Sequence, residues 1–262
     1  MHTIYETANE PMTLNITITC SGKKRFRIWA EDLGKKNSKY ANREIEVENS
    51  RQIYFSFPVS PKKIYIGCVN VANPNDQSFN VNIERAPLKK YDIWLDQETK
   101  DFVQLAINFS QVCGFELPKR NGTVYQTPDG KFNIKYFPAI IDFVSGKVLN
   151  TPARIGHNTG IIEISAVKFA QYTIPMRLCI LLHEFSHKYK NPKIGLQISN
   201  EYGADINALY IYLGLGFSKI DAITVFAKVF LKAQTDSNIQ RMRKILDYIN
   251  KFENNEYAQL LT

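Results

Sequence analysis

Met12-Thr13-Leu14-Asn15-Ile16-Thr17-Ile18-Thr19-Cys20 puts an apolar side chain at every second position. A strand with one face on a core and the other in water requires this period of two. The alternation returns in Phe26-Arg27-Ile28-Trp29, Glu44-Ile45-Glu46-Val47-Glu48, 53–59, 64–69 and 79–83. Between these runs stand Ser21-Gly22-Lys23, Gly34-Lys35-Lys36-Asn37, Ser60-Pro61 and Asn73-Pro74-Asn75-Asp76, residues that favour turns. The spacing predicts six or seven short strands in a small antiparallel β-sandwich over residues 1–86.

The pattern changes at Arg85-Ala86-Pro87-Leu88-Lys89-Lys90, read as a linker. Asp96 is placed as the N-cap of a helix through Cys113, whose Phe102, Leu105, Ala106, Phe109 and Val112 recur at helical spacing. Residues 115–130 are rich in turn signals. Short strands are expected at 132–137, 147–149, 153–155 and 161–165, then helices at 175–189, 198–213, 218–233 and 236–252. The class predicted is α+β: an N-terminal sandwich, then a second domain over 87–262 with strands first and helices last.

Composition narrows the function. The chain has 262 residues, 44% of them hydrophobic and 22% charged, enough for real cores. The net charge of +8 is spread: 12 basic and 9 acidic side chains in residues 1–85, 21 and 16 in the remainder. No nucleic-acid motif accompanies it, so specific nucleic-acid binding is not expected. No apolar run reaches the length of a membrane span. Met1-His2-Thr3-Ile4-Tyr5-Glu6 lacks the basic start and apolar stretch of a signal peptide, and a soluble, cytoplasmic protein is expected. Cys20, Cys68, Cys113 and Cys179 have no metal-ligand or redox-motif spacing and are read as buried free thiols.

The residues that carry chemistry are His183-Glu184-Phe185-Ser186-His187. On a helix, positions four apart share a face, so both imidazoles can reach one Zn²⁺ while Glu184 meets a water beside it. Pro175 suits a first helical turn, and Leu178, Leu181, Leu182 and Phe185 can bury the helix. Glu201 and Asp205 are again four apart. Asn191-Pro192-Lys193-Ile194-Gly195 would let their helix fold back onto the first, and small Ala204 and Ala208 would let it come close. Glu201 would complete a three-ligand set with an open position, as catalytic zinc requires. Asp205 could accept the other ring N–H of His183 and fix its orientation.

His183-Glu184-x-x-His187 followed by Glu201-x-x-Ala204-Asp205 resembles the gluzincin metallopeptidases, in particular the compact minigluzincins, over residues 96–215. The resemblance implies a zincin-like domain with zinc on His183, His187 and Glu201, Glu184 as general base and Asp205 behind His183. It also implies an edge strand ahead of the active-site helix that pairs with an extended peptide, expected at Ile161-Ile162-Glu163-Ile164-Ser165. Thirteen residues separate His187 from Glu201, fewer than in thermolysin-like enzymes, and Lys193 stands where a metzincin would have a third histidine. For the oxyanion stabiliser, His157, Tyr202 and Tyr210 are the candidates; His157 also reads as an ordinary loop histidine.

The expected function is zinc-dependent hydrolysis of peptide bonds in a polypeptide substrate. The competing reading keeps the fold and drops the activity: a structural or assembly component, for instance of a phage particle. It would form a homo-oligomer or larger assembly through the N-terminal β-domain.

Overall fold

The computed structural model describes residues 2–89, 91–156, 158–189, 201–233 and 235–254. The chain divides into two compact units, Met1–Lys90 with Gly216–Ser218, and Tyr91–Leu215 with Lys219–Thr262. The class is α+β, with an antiparallel sheet first and helices last. The first unit ends past residue 86, because Ala86 is still paired to Thr13.

The first unit holds five strands: β1 (His2–Glu6), β2 (Met12–Glu31), β3 (Lys39–Phe57), β4 (Lys63–Asn70) and β5 (Phe79–Ala86). They form one hydrogen-bonded antiparallel sheet in the order β1-β4-β2-β3, with β5 on β2 as well. The expected six or seven short strands are fewer and longer. Met12–Cys20 and Phe26–Trp29 belong to one strand, as do the runs around Ile45 and Phe55. Ser21-Gly22-Lys23 does not reverse the chain. Gly22 (φ 68°) and Asn49 (φ 63°) take left-handed backbone where the β2–β3 register shifts, between Thr19 and Lys23. Glycine does this freely and asparagine at small cost.

These bends fold the sheet over. Tyr40 and Phe57 lie at opposite ends of β3, yet their ring centroids are 6.2 Å apart. Seventeen residues of straight strand would span about 55 Å. Three residues in from Tyr40 and from Phe57, Arg43 Nη1 donates to the Tyr54 carbonyl at 2.8 Å, and its guanidinium lies over the Phe55 ring. The even positions of β2 on either side of the bend, Met12 to Cys20 and Phe26 to Ala30, are thereby enclosed.

The second unit opens with α1 (Gln97–Val112), capped as expected: the Asp96 carboxylate accepts from Thr99 N–H at 2.7 Å. A four-stranded sheet follows, β6 (Thr123–Gln126), β7 (Asn133–Phe137), β8 (Ala153–Ile155) and β9 (Ile162–Ser165), in the order β6-β7-β9-β8. β6 lies in the stretch read as turns, and the strand expected at 147–149 is a single bridge, Ile141 to Val148. Next come α2 (Ala166–Phe169), α3 (Ile174–Ser186), α4 (Glu201–Gly214), α5 (Lys219–Val225), a π-helical turn at Phe226–Phe230, and α6 (Asp236–Glu253). The expected loop 191–195 and the start of the helix expected at 198 lie outside the described residues.

All thirteen residues of α3 are buried. A helix apolar all round must sit in a core, and its polar residues then need partners. Arg177 finds three carbonyls at helix ends: Nε to Phe169 at 3.2 Å, Nη1 to Ser110 at 3.1 Å and Nη2 to Ala170 at 3.3 Å. A cation there faces the negative ends of α1 and α2. Ser186 Oγ accepts from Asn207 Nδ2 at 2.8 Å, which pins α4 to α3, with Ala204 and Ala208 fully buried. Phe185 stacks on Phe102 with centroids 4.1 Å apart, anchoring the site end of α3 on α1. Among the described residues, no helix is long and apolar enough to cross a membrane.

Candidate metal centre

The last turn of α3 and the first of α4 meet at one point. His183 Nε2 and His187 Nε2 are 3.1 Å apart. Glu201 Oε2 lies 3.5 Å from the first and Oε1 3.6 Å from the second. A tetrahedral ion with 2.0–2.1 Å bonds holds its ligand atoms about 3.3 Å apart, so the three side chains stand close to the spacing a metal needs. Among the described residues, this is the group of His, Cys, Asp and Glu side chains whose ligand atoms all come within 4.8 Å.

Behind His183, Nδ1 lies 2.9 Å from Asp205 Oδ1, in the place expected from the sequence. A proton on Nδ1 leaves the Nε2 lone pair for an ion. The opposite face of the imidazole is covered by Phe230, stacked at 4.0 Å from the π-helical turn, so the ring is held by a carboxylate and an aromatic plane. Burial alone would lower the His183 pKa; the contacts with Asp205 and Glu201 outweigh it and raise it to about 9. The hydrogen bond from His183 holds the Glu201 carboxyl down at about 2.

Glu184 is buried beside the two histidines, and burial pushes its carboxyl up from the ordinary range. The Ile155 N–H donates to this carboxylate. A base in this environment holds its proton more readily than one in water.

The site opens into a cavity of about 840 Å³. Residues 150–155 form one wall; Ser237, Gln240, Arg241 and Lys244 of α6 form another. The strand lining the cavity is β8, not 161–165. β9 is an interior strand: Ile162–Ser165 pairs with β7 on one side and with β8 on the other. With both backbone edges occupied, Ile162, Glu163, Ile164 and Ser165 cannot accept a peptide, and Glu163 is tied to Arg154 at 2.6 Å. In β8, Pro152, Arg154 and Gly156 face β9, which turns the backbone groups of Ala153 and Ile155 outward. Alternation alone cannot separate an interior strand from an edge, and three residues of β8 carry almost no periodic signal.

Of the oxyanion candidates, Tyr202 lines the cavity, with the Lys244 ammonium 5.3 Å from its ring centre. Tyr210 does not: its side chain is buried within the unit and its hydroxyl accepts from Trp94 N–H at 3.0 Å. Nine residues after Glu201 it is two and a half turns farther along α4. His157 lies outside the described residues.

Arg241 was not legible as a site residue. Its Nε and Nη2 donate to the two oxygens of Asp205 at 2.5 and 2.7 Å, and Nη2 also reaches Glu201 Oε2 at 3.0 Å. Forty positions from Glu201, it carried no spacing to betray it. No protein-family model, curated protein or solved structure matches this chain.

Proposed function

We propose that the protein is a zinc-dependent peptidase of the gluzincin kind. The observation that carries the reading is the convergence of His183 Nε2, His187 Nε2 and a Glu201 carboxylate at ligand spacing, beside a buried Glu184. Two imidazoles and one carboxylate suit zinc and leave a coordination position open. When bound, the ion supplies Lewis acidity, acidifying water and polarising a carbonyl. Glu184 takes the proton of the attacking water at its carboxylate and delivers it to the leaving nitrogen. Asp205, with Oδ1 2.9 Å from His183 Nδ1, would orient that imidazole, and Phe230 keeps water from the ring.

An extended peptide would lie along β8, using the Ala153 N–H and the Ile155 carbonyl, while the wall of α6 faces its other side. The test is a comparison of wild type, Glu184→Gln and His183→Ala against a mixture of unstructured peptides, read by mass spectrometry and zinc content. Glu184→Gln should keep zinc and lose cleavage; His183→Ala should lose both. Equal cleavage by wild type and Glu184→Gln would end the mechanism.

A second reading, an assembly component built on this fold, draws on one observation. The turn between Ile141 and Val148 holds Phe143 and Val144 at 88% and 98% exposure, an apolar tip suited to a protein partner or another copy. Stable oligomers lost on Phe143→Asp, with no cleavage by wild type, would favour it.

A further inference from the structure

We propose that Arg241 is the residue that positions Glu201 as a metal ligand, so that tight metal binding requires α6 to be seated. The inference rests on the metal-site reading above and concerns a side chain outside the ligand set. Glu201 is the first described residue of α4, and its side chain is 58% exposed. A glutamate so placed has three torsions to fix before it can serve as a ligand, and the entropy of fixing them opposes binding. Among the described residues, the groups that contact its carboxylate are His183, His187 and Arg241. The histidines are co-ligands that would themselves turn to the ion. Among the described residues, Arg241 is therefore the contact from outside the ligand set that can hold Glu201 before an ion arrives.

A cation beside a metal site would ordinarily repel the metal. Here Asp205 removes most of that effect. It is fully buried and takes two bonds from the guanidinium edge, Nε to Oδ2 at 2.5 Å and Nη2 to Oδ1 at 2.7 Å. Side-by-side bonds of this kind fix the plane of the guanidinium as well as its position. The same Nη2 then reaches Glu201 Oε2 at 3.0 Å, leaving Oε1 on the side of His187. One planar group thus links the carboxylate behind His183 to the carboxylate beside both histidines. Lysine, a point charge on a flexible stem, cannot make both contacts in a fixed plane.

The helix carrying Arg241 is itself well held. Thr235 caps α6 by accepting from Asn238 N–H at 3.2 Å, and Ile245, Tyr248, Ile249 and Phe252 are buried. A site is only as firm as the element that supports it. Lifting α6 would release Glu201 without touching either histidine.

The experiment measures Zn²⁺ affinity of the full chain by competition with a chelator, for wild type, Arg241→Ala, Arg241→Gln and Arg241→Lys. Circular dichroism of the metal-free proteins reports whether each variant folds. A loss of 10- to 100-fold is expected for Arg241→Ala, the range typical of groups that orient metal ligands, with little recovery in Arg241→Lys. The visible absorption of fully loaded Co²⁺ protein should also change, because ligand placement changes; a purely structural role would leave it alone. In a Glu201→Ala background, Arg241→Ala should cost nothing further. A loss that persists there, or unchanged affinity in folded Arg241→Ala and Arg241→Gln, would overturn the proposal while leaving the metal site intact. A wild type that takes up no Zn²⁺ would overturn both.

Discussion

His183 and His187 present their Nε2 atoms to each other at 3.1 Å, with ring planes 89° apart. Two lone pairs brought that close repel unless something positive lies between them or one ring is protonated. Added Zn²⁺ should therefore bind at one equivalent per wild-type chain and at far less than one in His183→Ala. Because the folded state alone has the site, wild type should also gain about 2.7 kcal/mol of stability at free metal 100-fold above Kd. Elemental analysis after dialysis and denaturant melts with and without metal measure the two effects. Equal zinc in both proteins would refute the assignment.

The pH dependence of the metal-free protein follows from the same contacts. His183 rises from 6.5 to about 9, so its contribution is full below pH 6.5 and is lost as the pH climbs through about 9. Glu201 falls from 4.5 to about 2, so its contribution is present above 4.5 and is lost as the pH drops toward about 2. Metal-free stability should peak between these limits and decline from pH 6.5 to 9. Zinc uptake must expel the His183 proton, so affinity should strengthen across that same alkaline window. Melts of wild type and His183→Ala at pH 6 and 9 check the first part; proton release on titration with zinc checks the second.

Arg177→Met should cost about 3 kcal/mol, because three carbonyls at helix ends, two of them buried, each lose a charged donor. Urea unfolding measures it. A cost under about 1 kcal/mol would mean that water replaces the guanidinium.

The four cysteines are free and buried, and burial pushes the Cys68 and Cys113 thiols up to about 11 and that of Cys179 up as well. A thiol reagent at pH 8 should label none of them in the native protein and all four in denaturant. Labelling of the native chain within minutes would show that these sites open more readily than their burial implies.

Much of the architecture was legible because it is local. The Asp96 cap, the helical spacing from Phe102 to Val112 and the even-numbered apolar positions of β2 are each set by near neighbours. His183 and His187 were legible for the same reason, and Glu201 with Asp205 because one helix spacing repeats. What escaped the sequence is what depends on distant partners. Gly22 reads as a turn whether the chain reverses or merely bends, and only pairing with β3 decides. Ile162–Ser165 has the alternation of a strand, but β7 and β8 decide that it is interior. Arg241 and Phe230 meet the site from helices that come after it, at positions that no motif marks.

The edge of β8 that turns Ala153 and Ile155 outward could nucleate pairing with any extended chain, including another copy caught while folding. Here that hazard is blunted in three ways. The strand is three residues long, the Thr151 hydroxyl occupies the Ala153 carbonyl at 2.7 Å, and Glu184 occupies the Ile155 N–H. An approaching segment finds those two groups already engaged. The edge of β8 is thereby guarded against aggregation by the chain's own side chains.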